Sequence, residues 1–119
     1  MKYDFFVKKA KEQDGRNVFS SLKEVKGVPS DLIDFYELIN PVDVEVSINE
    51  VDVLFFDYDN LVETQKMYRI VDGFVFASCN GEPIYIKNGQ IYTCVFGQKE
   101  IIEEKIANSF EDYLSMIDD

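Results

Sequence analysis

Val42, Val44, Val46 and Ile48 alternate strictly with Asp43, Glu45 and Ser47, the period-two pattern of a strand with one face buried and one wet. Val51-Asp52-Val53-Leu54-Phe55 follows at once and predicts a second strand. Two stretches carry the helical period instead. Tyr3, Phe6, Val7 and Ala10 predict a helix over 3–13 that Gly15 stops, and Leu32, Phe35, Tyr36 and Ile39 predict another over 30–39. In the second, Pro29 stiffens the start, Ser30 offers a cap, and Asp31 sits where the helix dipole favours an acid, while Pro41 closes it. Both are short and need a sheet to lie on. Asp59 offers a cap for a shorter helix through Leu61, Val62 and Tyr68. Asn108 or Ser109 does so for a closing helix over 109–117, where Phe110, Tyr113, Leu114 and Ile117 recur at helical spacing.

Between these lies a predicted meander of strands 73–79, 82–87 and 90–96. Phe74, Val75, Phe76 and Ala77 suit a strand covered on both faces. Asn80-Gly81 and Asn88-Gly89 are the dipeptides that type I′ hairpin turns select, because both central residues need positive φ. The second turn fixes a register: Lys87 opposite Gln90, Ile86 opposite Ile91, Tyr85 opposite Tyr92 and Ile84 opposite Thr93. Ile84, Ile86 and Ile91 then share one face, and Tyr85 and Tyr92 the other. Pro83 lacks a ladder donor and predicts a bulge or an edge position. Hairpins rather than crossovers argue for one α+β domain over 1–119, a central, mostly antiparallel sheet with flanking helices.

Composition narrows the function more than the fold. The 119 residues are 46% hydrophobic and 14% aromatic, which is one domain's worth of core and excludes disorder. The absence of His removes the commonest general base and metal ligand. A net charge of −11 argues against direct nucleic-acid binding, which needs clustered Lys and Arg. No apolar run reaches membrane-spanning length, and the start, Met1-Lys2-Tyr3-Asp4, lacks an apolar leader, so a cytoplasmic protein away from membranes is expected. Residues 1–26 balance to +3, residues 27–65 carry ten acids and no base, and residues 66–119 balance to −4. That base-free run is either solvated surface or a one-signed face for a basic partner.

Catalytic and metal constellations are not evident. Cys79 and Cys94 fall on opposite faces of the meander and are expected to be free thiols, too few for zinc. Asp57-Tyr58-Asp59-Asn60 departs from a calcium loop, with Val62 where glycine is required. No glycine spacing cradles phosphate. No catalytic residue, metal or cofactor is expected.

Four segments together carry a resemblance. Val28-Pro29-Ser30-Asp31-Leu32-Ile33-Asp34-Phe35-Tyr36 is similar to the Leu-Pro-x-Asp-Leu-x-x-Phe-Tyr helix start of the SUKH superfamily. Phe76-Ala77-Ser78-Cys79-Asn80-Gly81-Glu82-Pro83-Ile84-Tyr85 resembles its Phe-Ala-x-x-Asn-Gly-Asp-Pro-Ile turn, and Gly89 to Thr93 its Gly-x-Val-Tyr strand. Ile106-Ala107-Asn108-Ser109-Phe110-Glu111-Asp112-Tyr113-Leu114 is similar to its closing Ile-Ala-x-Ser-Phe-Glu-Glu-Phe-Leu. Where many relatives show His-Gly after the Val-Tyr strand, this chain has Phe96-Gly97, which leaves the subfamily open.

The resemblance implies an α+β fold and a non-enzymatic binding role. Bacterial members are immunity proteins that neutralise a cognate toxin, often a nuclease; fungal relatives are regulators of cell-wall glucan synthesis that act through protein contacts. An acidic inhibitor suits a basic nuclease. The expected partner is therefore a basic toxin domain, met by a monomer or weak homodimer. Candidate contact residues are Asp43 and Glu45 on the alternating strand, with Asp52, Asp57 and Asp59 beyond.

Overall fold

A computed structural model describes residues 2–97, 99 and 101–119. In chain order it holds α1 (Asp4–Gln13), β1 (Val18–Ser20), α2 (Ser30–Ile39), β2 (Asn40–Ile48) and β3 (Val51–Phe55). A 3-10 turn (Tyr58–Asn60) leads into α3 (Leu61–Tyr68). Then come β4 (Phe74–Cys79), β5 (Glu82–Lys87), β6 (Gln90–Thr93), β7 (Glu104–Ala107) and α4 (Phe110–Ser115). Every strand pairs antiparallel with its neighbours in sequence, so one sheet runs in order from β1 to β7. The fold is α+β, an antiparallel sheet flanked by helices.

The two periodicities meet on one face. Tyr3, Phe6 and Ala10 beside and on α1, Leu32, Phe35, Tyr36 and Ile39 of α2, and Phe110, Tyr113 and Leu114 of α4 are all buried there. They close over Val44, Val46, Ile48, Val53, Phe55, Ile84, Ile86 and Ile91 of the sheet. A smaller cluster of Tyr68, Val75, Tyr85 and Cys94 lies on the opposite face, with the Tyr85 and Tyr92 rings stacked at 6.1 Å. The β5–β6 register matches the prediction at all four pairs. Both Asn-Gly turns have positive φ at each residue (51° and 83°, then 53° and 75°), which glycine accepts without a Cβ penalty. Cys79 and Cys94 are free and belong to different clusters. Ser109 caps α4 by accepting from the Asp112 N–H at 3.0 Å.

Several expectations need correction. Asp59 does not cap α3: Asp57 caps the preceding 3-10 turn, its Oδ1 accepting from the Asp59 N–H at 3.2 Å. Ser30 is the first residue of α2 and its side chain makes no cap bond; Pro29 holds that position. Pro83 sits in β5, between two strands, and the irregularity in its ladder to β4 falls at Val75–Ala77 instead. Val42 is 43% exposed although its alternation partners are buried. There β2 is bulged: the adjacent Val18 and Phe19 of β1 pair with Asp43 and Pro41, so Val42 is the extra residue and is passed over. The third meander strand stops at Thr93 rather than 96, and the closing helix at Ser115 rather than 117.

At three places, strand main chain that lacks a neighbouring strand is met by a side-chain amide. A strand residue points its N–H and C=O the same way, so one carboxamide serves both. Gln13 accepts from the Ser47 N–H at 2.7 Å and donates to its carbonyl at 3.1 Å. Asn17 does the same for Glu45 at 3.0 and 3.1 Å, and Gln65 for Val75 at 2.8 and 2.7 Å.

Near the C-terminal end, the Asp118 carboxylate accepts from the Ser47 hydroxyl at 2.5 Å and the Glu50 N–H at 2.8 Å. These bonds, the hydroxyl's foremost, hold its pKa below the ordinary 3.8. A depressed carboxylate stabilises the fold above its unfolded pKa and loses that contribution as pH falls through its folded value. Asp118→Asn should therefore be less stable than wild type at pH 6, with the gap closing on acidification below 3.8. Urea midpoints across that range measure it; a gap independent of pH would contradict the role given to the carboxylate.

Candidate acidic face of the sheet

Because Val44 and Val46 point into the core, Asp43 and Glu45 of β2 point away from it, and both are exposed. The tight turn after Ile48 then folds β3 alongside, setting Glu45 opposite Leu54 and Ser47 opposite Asp52. Asp52 is exposed and Leu54 is 39% exposed. Asp43 and Glu45 are two residues apart on one strand, about 7 Å. Asp52 is the diagonal neighbour of Glu45, also about 7–8 Å away. Three carboxylates thus surround one accessible leucine on the open face of the β2–β3 hairpin.

Asp57 and Asp59 are elsewhere. The half-buried Asp57 accepts from the Asn40 amide at 3.1 Å as well as from Asp59, which makes it part of the turn. Asp59 is exposed and lines an open groove of about 500 Å³ with Lys26, Val28, Tyr58, Val62 and Phe74. Two of its lining residues are tied together: the Tyr58 hydroxyl accepts from the Lys26 N–H at 2.9 Å and donates to its carbonyl at 3.0 Å.

The ten acids of 27–65 do not form a single face, because the run crosses from a helix on one side of the sheet to strands exposed on the other. Asp34 on α2 pairs with Lys2 at 3.8 Å, Glu37 accepts from the Val25 N–H at 3.2 Å, and Glu63 pairs with Lys66 at 3.5 Å. Asp43, Glu45 and Asp52 are the subset that the hairpin gathers.

Burial acts on the thiols and on several phenols of the core. Burial pushes both thiols, Cys79 and Cys94, above their ordinary pKa, with neighbouring acids adding to it. Burial likewise raises Tyr36, Tyr85 and Tyr113. Tyr85 is fully buried and its hydroxyl has no hydrogen-bond partner among the described residues; Glu103 and Cys94 raise its pKa further. Among the described residues, no three His, Cys, Asp or Glu side chains are grouped as a metal site, and no helix is long and apolar enough to cross a membrane. Compared with family models and with curated proteins, the chain matches none.

Proposed function

We propose that this chain is a non-enzymatic protein-binding module of the SUKH type, an immunity protein whose β2–β3 face engages a basic toxin domain, a nuclease by the logic of charge. The reading is carried by one observation: Asp43, Glu45 and Asp52 converge on an accessible Leu54 in a segment without a single base. A leucine anchor ringed by carboxylates suits a partner whose own surface is basic, because charge steers the encounter while the desolvated apolar centre holds it. Asp59 and its groove lie apart and take no part in this reading.

The test is binding to the toxin encoded beside this gene. Combined Asp43→Lys, Glu45→Lys and Asp52→Lys should slow association about tenfold at low salt. The difference should shrink as salt shortens the screening length from about 10 Å at 0.1 M to about 3 Å at 1 M. Stability should change by less than about 0.5 kcal/mol per site, since all three are exposed. Undiminished binding by a folded triple variant would make the face mere solvated surface. A gene with no toxin neighbour would favour the regulator of glucan-synthesis type instead.

A further inference from the structure

The core face of the sheet is roofed unevenly. Helices α1 and α2 pack on β2, and α4 packs on β6 and β7. At the end of the sheet that carries the β2–β3 and β4–β5 turns, the last turn of α4 stands over a recess of about 200 Å³. Val51, Ile84, Ile106 and Met116 give it an apolar lining. Tyr113 of α4, only 3% exposed, stands in its wall, and its hydroxyl has no hydrogen-bond partner among the described residues. A buried hydroxyl without a partner is a cost that phenylalanine would avoid. Unlike the Tyr85 hydroxyl, this one is not sealed from solvent, and the access it keeps is through the recess.

Three polar groups follow one another along one wall. The Tyr113 hydroxyl lies near enough to the Cys79 thiol to feel its charge state. Cys79 is directly opposite Glu82 in the β4–β5 ladder, and the half-buried Glu82 lines the recess with it. Among the described residues Glu82 has no basic partner, and no Lys or Arg lines the recess. Thr93 donates its hydrogen to the Pro83 carbonyl at 2.9 Å and keeps only lone pairs for anything else. The lining thus carries one negative charge and no positive one.

We propose that this recess binds a small primary amine with an apolar body, its ammonium shared between the Glu82 carboxylate and the Tyr113 hydroxyl and its body laid against Val51, Ile84, Ile106 and Met116. Size sets the class. A cavity of about 150 Å³ lined by aliphatic side chains holds benzene, so this one takes a ring with a short chain and is too small for a nucleotide. Charge sets the head group. Burial raises both Tyr113 and Cys79, so hydroxyl and thiol stay neutral at neutral pH and Glu82 is the one full charge the ligand meets. A carboxylate or phosphate would find repulsion and no counter-charge. The recess lies on the face of the sheet opposite Asp43 and Glu45, so the inference does not rest on the toxin reading.

Phenethylamine, phenethyl alcohol and phenylacetate separate these contributions, titrated into the whole chain while NMR follows the methyl signals of Ile84 and Ile106. The amine should saturate with a Kd of about 0.1–1 mM, the range open to a ligand of this size. The alcohol, which keeps the shape and loses the charge, should bind about tenfold more weakly, and phenylacetate more weakly still. Glu82→Gln should bring the amine down to the level of the alcohol and leave the alcohol unchanged. Tyr113→Phe should weaken the amine about fivefold or more without loss of stability, because no bond within the protein is broken. Val51 is 48% exposed, and Val51→Phe should fill the recess and abolish binding while the fold is kept. Amine binding no tighter than alcohol binding would overturn the proposal. So would amine binding that Glu82→Gln leaves unchanged, which is diffuse attraction to the net charge of −11, and so would methyl shifts that fail to saturate.

Discussion

Replacing Phe35 with alanine is expected to cost about 3–5 kcal/mol, a large share of the 5–15 kcal/mol by which a domain of this size is stable. Phe35 is fully buried and is the ring at which the helical layer meets the sheet. Its centroid lies 5.0 Å from that of Phe110 on α4, 5.3 Å from Tyr36, 5.5 Å from Tyr3, 5.9 Å from Phe55 on β3 and 6.1 Å from Phe6 on α1. Three of these contacts are edge-to-face within 5.5 Å, the geometry the aromatic quadrupole favours. The cavity left by truncation cannot collapse easily, because its walls belong to four elements tied down independently. Urea unfolding of Phe35→Ala measures the loss, and Phe5→Ala, at a site 41% exposed on α1, serves as the control, with under about 1 kcal/mol expected. A loss at Phe35 no larger than at Phe5 would mean that α2 docks through other contacts.

That ring was legible as core from its spacing with Leu32, Tyr36 and Ile39, and so was most of the layer it joins. The β5–β6 register was legible residue by residue because Asn88-Gly89 admits a single short turn, and a turn fixes every pair beyond it. Asp43, Glu45 and Asp52 could be placed together for a similar reason: alternation sets the face, and two residues between Ile48 and Val51 set the pairing. Asp57 could not, since its task depends on Asn40, 17 positions earlier in the chain. Val18-Phe19-Ser20 and Glu104-Lys105-Ile106-Ala107 are too short to show a period, so both end strands escaped the pattern. Their ladders with β2 and β6 are what make them strands at all. The amides at the edges are hidden in the same way. Gln13 and Asn17 serve residues 34 and 28 positions away, and nothing in polar residues near the end of an amphipathic helix announces that.

Asn17→Leu should expose how much those amides contribute, with an expected loss of about 2–3 kcal/mol. Asn17 is 4% exposed and uses both ends of its amide. Its Nδ2 donates to the Ala10 carbonyl at 2.9 Å and the Glu45 carbonyl at 3.1 Å, while its Oδ1 accepts from the Glu45 N–H at 3.0 Å. Leucine has similar bulk and none of this capacity. Two main-chain groups of Glu45 on β2 would lose their partner, while the Ala10 carbonyl keeps the Asp14 N–H at 3.0 Å, and a group left unsatisfied costs about 1–3 kcal/mol. The second consequence concerns the edge itself: with the plug gone, β2 offers a free donor and acceptor to another chain, so aggregation on heating should increase. Hydrogen exchange at the Glu45 amide separates this mechanism from simple loss of packing. The amide should be protected in wild type and should exchange rapidly in Asn17→Leu, while the Ser47 amide, still held by Gln13, keeps its protection. If Glu45 stays protected and stability falls by less than about 0.5 kcal/mol, the edge is closed by other means and the amide is dispensable.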